Sequence, residues 1–341
     1  MSLVATTINA FEGAPLPDLV RRAAVQVLVA NARRRLSGVP ADAGRAFAQD
    51  MADRPIAEHA GAANSQHYEL PAAFFEAVLG PQLKYSSCLY EGVTTLAEAE
   101  EQALAETAVH AQLQDGQQIL ELGCGWGSLS LWMARNLPGS TITSVSNSKS
   151  QGDFIRARAQ AQGLTNLSVI TADMNDFQAD PGAFDRIVSV EMFEHMANWR
   201  ALLTKARTWL RADGALFIHV FTHRSTPYRF DVDDEADWIG QHFFTGGVMP
   251  SHDLAAQFPD LFTLEADWRW SGAHYEKTAN HWLENFDRNA AALRAVLKAV
   301  YGDDAVLWRR RWRLFFLATA GLFGHRGGTE WGVSHYRLRP A

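Results

Sequence analysis

From residue 117 onward the chain alternates short apolar runs with amphipathic ones. QQILELG, STITSVS, LSVITAD, FDRIVSVEM and GALFIHVF read as strands. SLSLWMARNL and SQGDFIRARAQAQGL, the latter closed by Gly163, read as helices between them. Strands alternating with helices imply a parallel sheet covered on both faces. Upstream, residues 17–37 read as an amphipathic helix with basic residues at both ends, and residues 97–113 as a second helix. Residues 41–66 read as a polar connection with short helical pieces. After Phe221 the alternation stops. The stretch up to Thr263, rich in Asp, Gly, Pro and aromatics, reads as a segment inserted over the sheet. FTLEADWRW follows, then a long helical region from about 276 to 322 and a last strand near WGVSHYRLR. The expected fold is α/β. A Rossmann-like core occupies residues 110–341, with a mostly parallel sheet, helices on both faces and an inserted helical cap at about 222–262. A helical N-terminal region, residues 1–109, precedes it.

Composition narrows the function classes. Of 341 residues, 47% are apolar and 20% charged, which fits a globular enzyme. The net charge of −7 disfavours generic nucleic-acid binding. No uninterrupted apolar run approaches the roughly 18 residues of a membrane span. MSLVATTINAFEGAPLP lacks the basic start and apolar core of a secretory signal. Two cysteines, Cys88 and Cys124, are too few for a disulfide framework or a Cys-rich metal site. A cytoplasmic location is expected.

Gly123, Gly125 and Gly127 lie between the first strand and its helix, where glycine permits a tight turn and close backbone approach to a ligand. The spacing is GxGxG rather than the GxGxxG that wraps a pyrophosphate, and Glu121 precedes it. A carboxylate there repels pyrophosphate and suits the ammonium of an amino-acid moiety, so the loop fits S-adenosylmethionine better than NAD. The second strand ends in SVSNSKSQ with no acid for ribose, although Ser146, Asn147 and Gln151 are neutral partners for its hydroxyls. TADMNDF places Asp173 and Met174 after the third strand, where an adenine would lie. Read blandly, each of these is an ordinary polar loop residue.

ILELGCGWGSLSLWMA, ITSVSNSKSQ, VEMFEHM, DWIGQHFFTGGVMPS and GAHYEKTANHWLENF, with residues 67–102 upstream, resemble the cyclopropane-fatty-acyl-phospholipid synthase superfamily of methyltransferases. Within it the chain is most similar to the branch of plant coclaurine-type N-methyltransferases. The resemblance runs from about residue 65 to the C-terminus. It implies a class I methyltransferase core that uses S-adenosylmethionine, and a neutral second-strand end is usual in that family. It also implies Tyr85, Ser86 and Gly123 around the methionine part of the donor, and Ser146 and Gln151 on the ribose. Asp173 and Met174 would flank adenine, and Val190 joins the same donor set. The N-terminal region would then contribute to both donor and acceptor sites.

The acceptor decides what else is needed. An alkylamine of pKa roughly 10 arrives protonated and requires a base, and a carboxylate suits its cationic product. Glu194 and His195 can supply these roles, with Glu191 expected one helical turn behind on the same face, and the resemblance, through the shared EMFEH run, makes Glu194 and His195 the favoured pair. If the acceptor is instead an alkene in an acyl chain, the resemblance implies a bound bicarbonate as base, caged by Cys88, Glu194, His219 and Tyr275. The chain keeps all four residues, so an unsaturated acyl phospholipid stays open beside a small amine. The bland alternatives are helix-capping acids, core histidines and a buried apolar cysteine. Trp238, Phe243, Phe244, Trp282 and Phe323 read as core, with Phe243 and Phe244 also candidates to enclose an amine. Residues 17–37 and WRRRWRLFFLATAGLF are the candidate contacts for a membrane surface. A homodimer is a further expectation.

Overall fold

The computed structural model describes Glu12 and residues 16–40, 42–58, 70–234 and 237–341. Most of the N-terminal stretch read for a secretory signal, residues 59–66 of the polar connection and residues 67–69 of the stretch 67–102 lie outside the described residues. Helix α1 spans Asp18–Leu36 and buries only a narrow stripe, Arg21, Val25 and Val29. Short helices follow, α2 at Ala43–Asp50 and α3 at Ala72–Val78. Helix α4, Leu96–His110, begins with a capping box in which Thr95 and Glu98 satisfy each other's backbone N–H groups.

The core then runs in the expected alternation, with β1 at Gln118–Leu122, α5 at Ser128–Asn136, β2 at Thr141–Ser146 and α6 at Lys149–Ala161. It continues through β3 (Leu167–Thr171), β4 (Phe184–Val190), α7 (Trp199–Trp209) and β5 (Leu210–His223). Beyond β5 lie a ribbon of β6 (Tyr228–Arg229) and β7 (Val248–Met249), and between them the short helix α8 (Trp238–His242). These fill the inserted cap, which is therefore less helical than its composition implied. Strand β8 (Phe262–Ser271) leads into α9 (Gly272–Arg288), α10 (Ala290–Tyr301) and α11 (Ala305–Phe323) before β9 (Trp331–Pro340). The long helical region is thus three helices, broken where Asn289 and Gly302 end turns.

The sheet order is β3-β2-β1-β4-β5-β9-β8. The first five strands are parallel, whereas β9 pairs antiparallel with both β5 and β8. The order reverses between β1 and β4, so a crevice opens at their carboxyl ends, where open α/β sheets bind ligands.

Helices α9 to α11 pack on one another around an aromatic core. Trp312 of α11 is fully buried and meets Phe74 at 4.7 Å and Phe243 at 5.0 Å. It thereby fastens α3 and the cap to the C-terminal helices. Phe243 is packing, not an acceptor-facing ring. Gly321 lets α1 approach α11, because a Cβ there would lie 2.4 Å from Val25 Cγ1. Trp312→Ala is expected to cost about 3–5 kcal/mol, measured by urea unfolding, because a large cavity would open where three segments meet.

Candidate active site

The crevice is built from strand ends. At the end of β1, Glu121 is buried and its Oε2 accepts hydrogen bonds from Ser130 and, at 2.7 Å, from Ser144. Its Oε1 has no protein partner among the described residues. Burial raises its pKa to about 6, against the two hydroxyls that lower it. Gly123 follows with φ +80°, and its N–H and that of Cys124 both donate to Val145 O. A Cβ on Gly123 would sit 2.6 Å from the Met192 side chain, so only glycine lets the loop lie against the end of β4. Gly127 caps α5 with φ +83° against Ile155 and shapes the loop without lining the cavity.

At the end of β2, Ser146 Oγ donates to Gln151 Oε1 at 2.8 Å. The buried Gln151 Nε2, on a residue that lines the cavity, has no partner among the described residues. Asn147, Asp173 and Met174 complete that side of the cavity. From the N-terminal region come Lys84, Tyr85 and Ser86. Their turn is pinned by Glu100, whose carboxylate accepts the N–H groups of Gly80, Gln82 and Lys84 at 3.0, 2.8 and 3.2 Å. Lys84 is itself buried and donates to Ser86 Oγ and Ser87 O, both at 2.6 Å.

The charged run after β4 departs from expectation in its backbone. Glu191 does not begin a helix. It adopts φ +45°, a left-handed conformation uncommon outside glycine, and its N–H donates to His219 O at 2.8 Å. A single 3-10 turn, Phe193–His195, follows. The three residues therefore share no helix face. Glu191 and His195 line the cavity, whereas Glu194 is buried behind it with Oε2 unpartnered among the described residues. Burial, reinforced by Glu191, holds Glu194 well above the usual carboxylate range. Burial pushes His195 down to about 4 despite the pull of Glu191, and its neutral ring stacks on Phe244 at 4.4 Å.

Glu191 occupies the centre of the expected cage. Its Oε1 accepts from Ser87 N–H at 2.9 Å and lies 3.2 Å from His219 Nε2, and its Oε2 accepts from Tyr275 at 2.7 Å. His219 and Tyr275 thus stand behind Glu191 instead of lining the cavity. Cys88 does not face it either. Its Sγ lies 3.7 Å from Ser86 O, its N–H donates to Thr278, and burial raises the thiol pKa. The residues offered as a bicarbonate cage do not fit a free anion, because a carboxylate of the chain already uses the donors of His219 and Tyr275.

Residues 57–327 match the mycolic acid cyclopropane synthetase family. The chain belongs to that family. It is 35% identical over 286 residues to (S)-coclaurine N-methyltransferase of Thalictrum flavum subsp. glaucum, covering 82% of this chain and 79% of that one. Cyclopropane-fatty-acyl-phospholipid synthase of Escherichia coli (strain K12) is 28% identical over 79% of this chain and 66% of its own. The crystal structure of coclaurine N-methyltransferase bound to N-methylheliamine and S-adenosylhomocysteine superposes with a TM-score of 0.93 at 30% identity, covering 99% of this chain and 100% of that one. This family member is an S-adenosylmethionine-dependent methyltransferase on a class I methyltransferase core.

The crevice brings together Tyr85, Ser86, Glu121, Gly123, Gly125, Ser146, Asn147, Gln151, Asp173, Met174 and Val190. Lys84, Trp126, Met192 and Thr245 also line it and were not singled out from sequence. Lys84 carries no motif, and Thr245 comes from the cap, whose fold the periodicity did not specify. Gly123→Ala is expected to weaken S-adenosylmethionine binding about ten-fold or more, roughly 1.4 kcal/mol, measured by calorimetry on folded protein.

Proposed function

We propose that this methyltransferase methylates the nitrogen of a small amine. The single observation that carries the reading is Glu191, a fixed carboxylate set among Ser87 N–H, His219 and Tyr275 on the acceptor side. A permanent carboxylate serves an amine, which needs a base for its proton and a counter-charge for its product. Carbon chemistry with free bicarbonate needs those same donors vacant. The likeness to the N-methyltransferase carrying N-methylheliamine supports the same reading.

S-adenosylmethionine supplies an activated methyl on its sulfonium. In the proposed roles, Glu121 Oε1 holds the donor's ammonium, and Gln151 Nε2 with Ser146 orients the ribose. Asp173 and Met174 flank adenine. Glu191 takes the amine's proton, and neutral His195 orients the nitrogen with its ring fixed on Phe244. The amine lone pair then forms the new C–N bond, and the electron pair of the breaking S–C bond stays on sulfur. Burial disfavours a charge on Glu194, behind the cavity, and so disfavours a second negative charge beside Glu191. Alignment and exclusion of water supply the remaining acceleration.

Along the chain, residues 1–109 act as a region that closes the donor and acceptor sites, and residues 110–341 as the core with its cap at about 222–262. No helix among the described residues is long and apolar enough to cross a membrane. The exposed Leu19, Val20, Val27 and Leu28 of α1 offer a surface for a second copy, in line with a homodimer. The free thiols Cys88 and Cys124 are in keeping with a cytoplasmic setting.

Incubation with methyl-labelled donor and parallel panels of amines and unsaturated phospholipids, followed by mass spectrometry, tests the reading. Label in amines is expected, and label found only in lipid overturns it. Glu191→Gln is expected to lower kcat by about 10²–10⁴-fold. Burial raises the pKa of Glu191, with Lys84, Ser87 N–H and Tyr275 opposing. The wild-type kcat should therefore fall as pH drops through that raised value, and Glu191→Gln should lose this acid limb of the profile.

A further inference from the structure

Glu191 is joined to the protein surface by histidines that the transfer chemistry leaves without a role. His219 of β5 presents Nε2 to Glu191 Oε1 at 3.2 Å, and its Nδ1 meets His335 Nε2 of β9 at 2.8 Å. His335 Nδ1 meets Nδ1 of His110, the last residue of α4, at 2.7 Å. His110 Nε2 lies 2.9 Å from Glu106 Oε1, whose side chain is 40% exposed. None of His219, His335, His110 or Glu106 lines the cavity, so the path is separate from the ligand entrance. The rings are held in place. Trp268 stacks on His110 at 3.8 Å, and Trp270 meets His335 at 4.3 Å and His219 edge-on at 5.3 Å.

The proton count along this chain is informative. A neutral imidazole carries one N–H and one lone pair. Three imidazoles supply three protons to four links, and two ionised carboxylates supply none. All four links are filled only when one more proton is held; besides the three arrangements that make one ring an imidazolium, two do this with every ring neutral. In the first, Glu191 is protonated, His219 and His335 carry Nδ1–H, and His110 carries Nε2–H toward Glu106. In the second, the proton is at Glu106, His219 and His335 carry Nε2–H, and His110 carries Nδ1–H. Passing between them breaks one O–H or N–H bond and forms one at each link, and no ring turns.

We propose that His219, His335 and His110 form a proton relay, through which Glu191 loses its proton to solvent at Glu106 when a cation forms beside it and regains it when the cation leaves. The cation is the methylated ammonium, so this link rests on the amine reading. Outward, the O–H bond of Glu191 breaks, each ring gains a proton on one nitrogen and loses one from the other, and Glu106 passes the last proton to water. Inward, once the cation has left, a proton from water at Glu106 runs every step in reverse to Glu191, which releases it to water in the emptied cavity that it lines, so the tautomers are restored and the carboxylate is free to take the next amine's proton.

The charged groups around the path favour this shift over a resting imidazolium. Glu191 faces Lys84, Tyr275, His195 and Glu194. Lys84 also acts on His219 and His335, and Arg337 lies beside His110, donating to its carbonyl at 2.7 Å. Burial holds His219 and His335 well below the usual histidine range, and pushes His110 down to about 4.

The test is nitrogen-15 NMR of histidine-labelled enzyme loaded with S-adenosylhomocysteine, titrated with pH. The three rings are expected to switch tautomer at one shared midpoint as pH rises. His219 and His335 should go from Nδ1–H to Nε2–H, and His110 in the opposite sense. Saturating tetramethylammonium, a permanent cation, should shift that midpoint downward. Glu106→Gln, a surface change, should slow exchange between the two tautomer sets until they give separate resonances. His110→Phe, which keeps a ring on Trp268, should abolish the switch at His219 and His335. Fixed tautomers, or three independent midpoints, overturn the relay, and a shared midpoint that tetramethylammonium leaves in place overturns the cation link. Failure of the amine reading shows separately, as label missing from every amine in the transfer assay, and leaves the cation-free titration unchanged.

Discussion

The carboxylate of Glu191, held by Ser87 N–H, His219 and Tyr275, is the interaction on which the rest of the site depends. Its three partners come from the segment before α4, from β5 and from α9. The same contact therefore fastens the N-terminal region, the sheet and the C-terminal helices around one point. The geometry has a backbone cost, since a left-handed glutamate persists only where its surroundings over-determine it. The bond from Glu191 N–H to His219 O and the three side-chain contacts do so here. Lys84, buried two hydrogen bonds away at Ser86 and Ser87, adds a positive field that favours the ionised carboxylate.

Donor and acceptor sides meet through a second tight contact, between Gly123 and Met192. The glycine loop lies directly on the residue after Glu191. The placement of the donor and the placement of the carboxylate are thus set by one close approach of β1 to β4. In-line transfer depends on such alignment more than on any strong base, because the methyl is already activated on sulfur.

Much of this was legible in the chain. Strand and helix periods alone predicted the β1–β5 core, since buried parallel strands read as short apolar runs between amphipathic helices. The GxGxG loop after an acid pointed to the donor, and the residues expected around it, Gly127 apart, line one cavity. The backbone of VEMFEH was not legible. Its i, i+3, i+4 spacing reads as a helix, and only the tertiary contacts of Glu191 hold it in the left-handed region. Cys88 was misplaced for a related reason, because a motif fixes a residue type but not which way the thiol points. Lys84 lay in the resembling stretch 67–102 without being singled out, and of the histidine path only His219 was named, as a cage residue, since residues 110, 219 and 335 meet only when α4, β5 and β9 are assembled. Aromatic content in the cap likewise did not separate Phe243, which is core, from Phe244, which carries His195.

In the proposed function Glu191 takes the place of a free anion as the acceptor-side carboxylate. The most direct measurement of this replacement is the rate of methyl transfer to an amine, in carbonate-free buffer and with added bicarbonate, for the wild-type protein and for Glu191→Gly. Glycine accepts the φ of +45° at this position, so the variant removes the carboxylate without straining the turn. The wild-type rate should be the same in both buffers, and the slow variant should recover part of its rate when bicarbonate enters the space among Ser87, His219 and Tyr275. A wild-type enzyme that fails without bicarbonate, or a variant that transfers at the wild-type rate in carbonate-free buffer, would contradict the account.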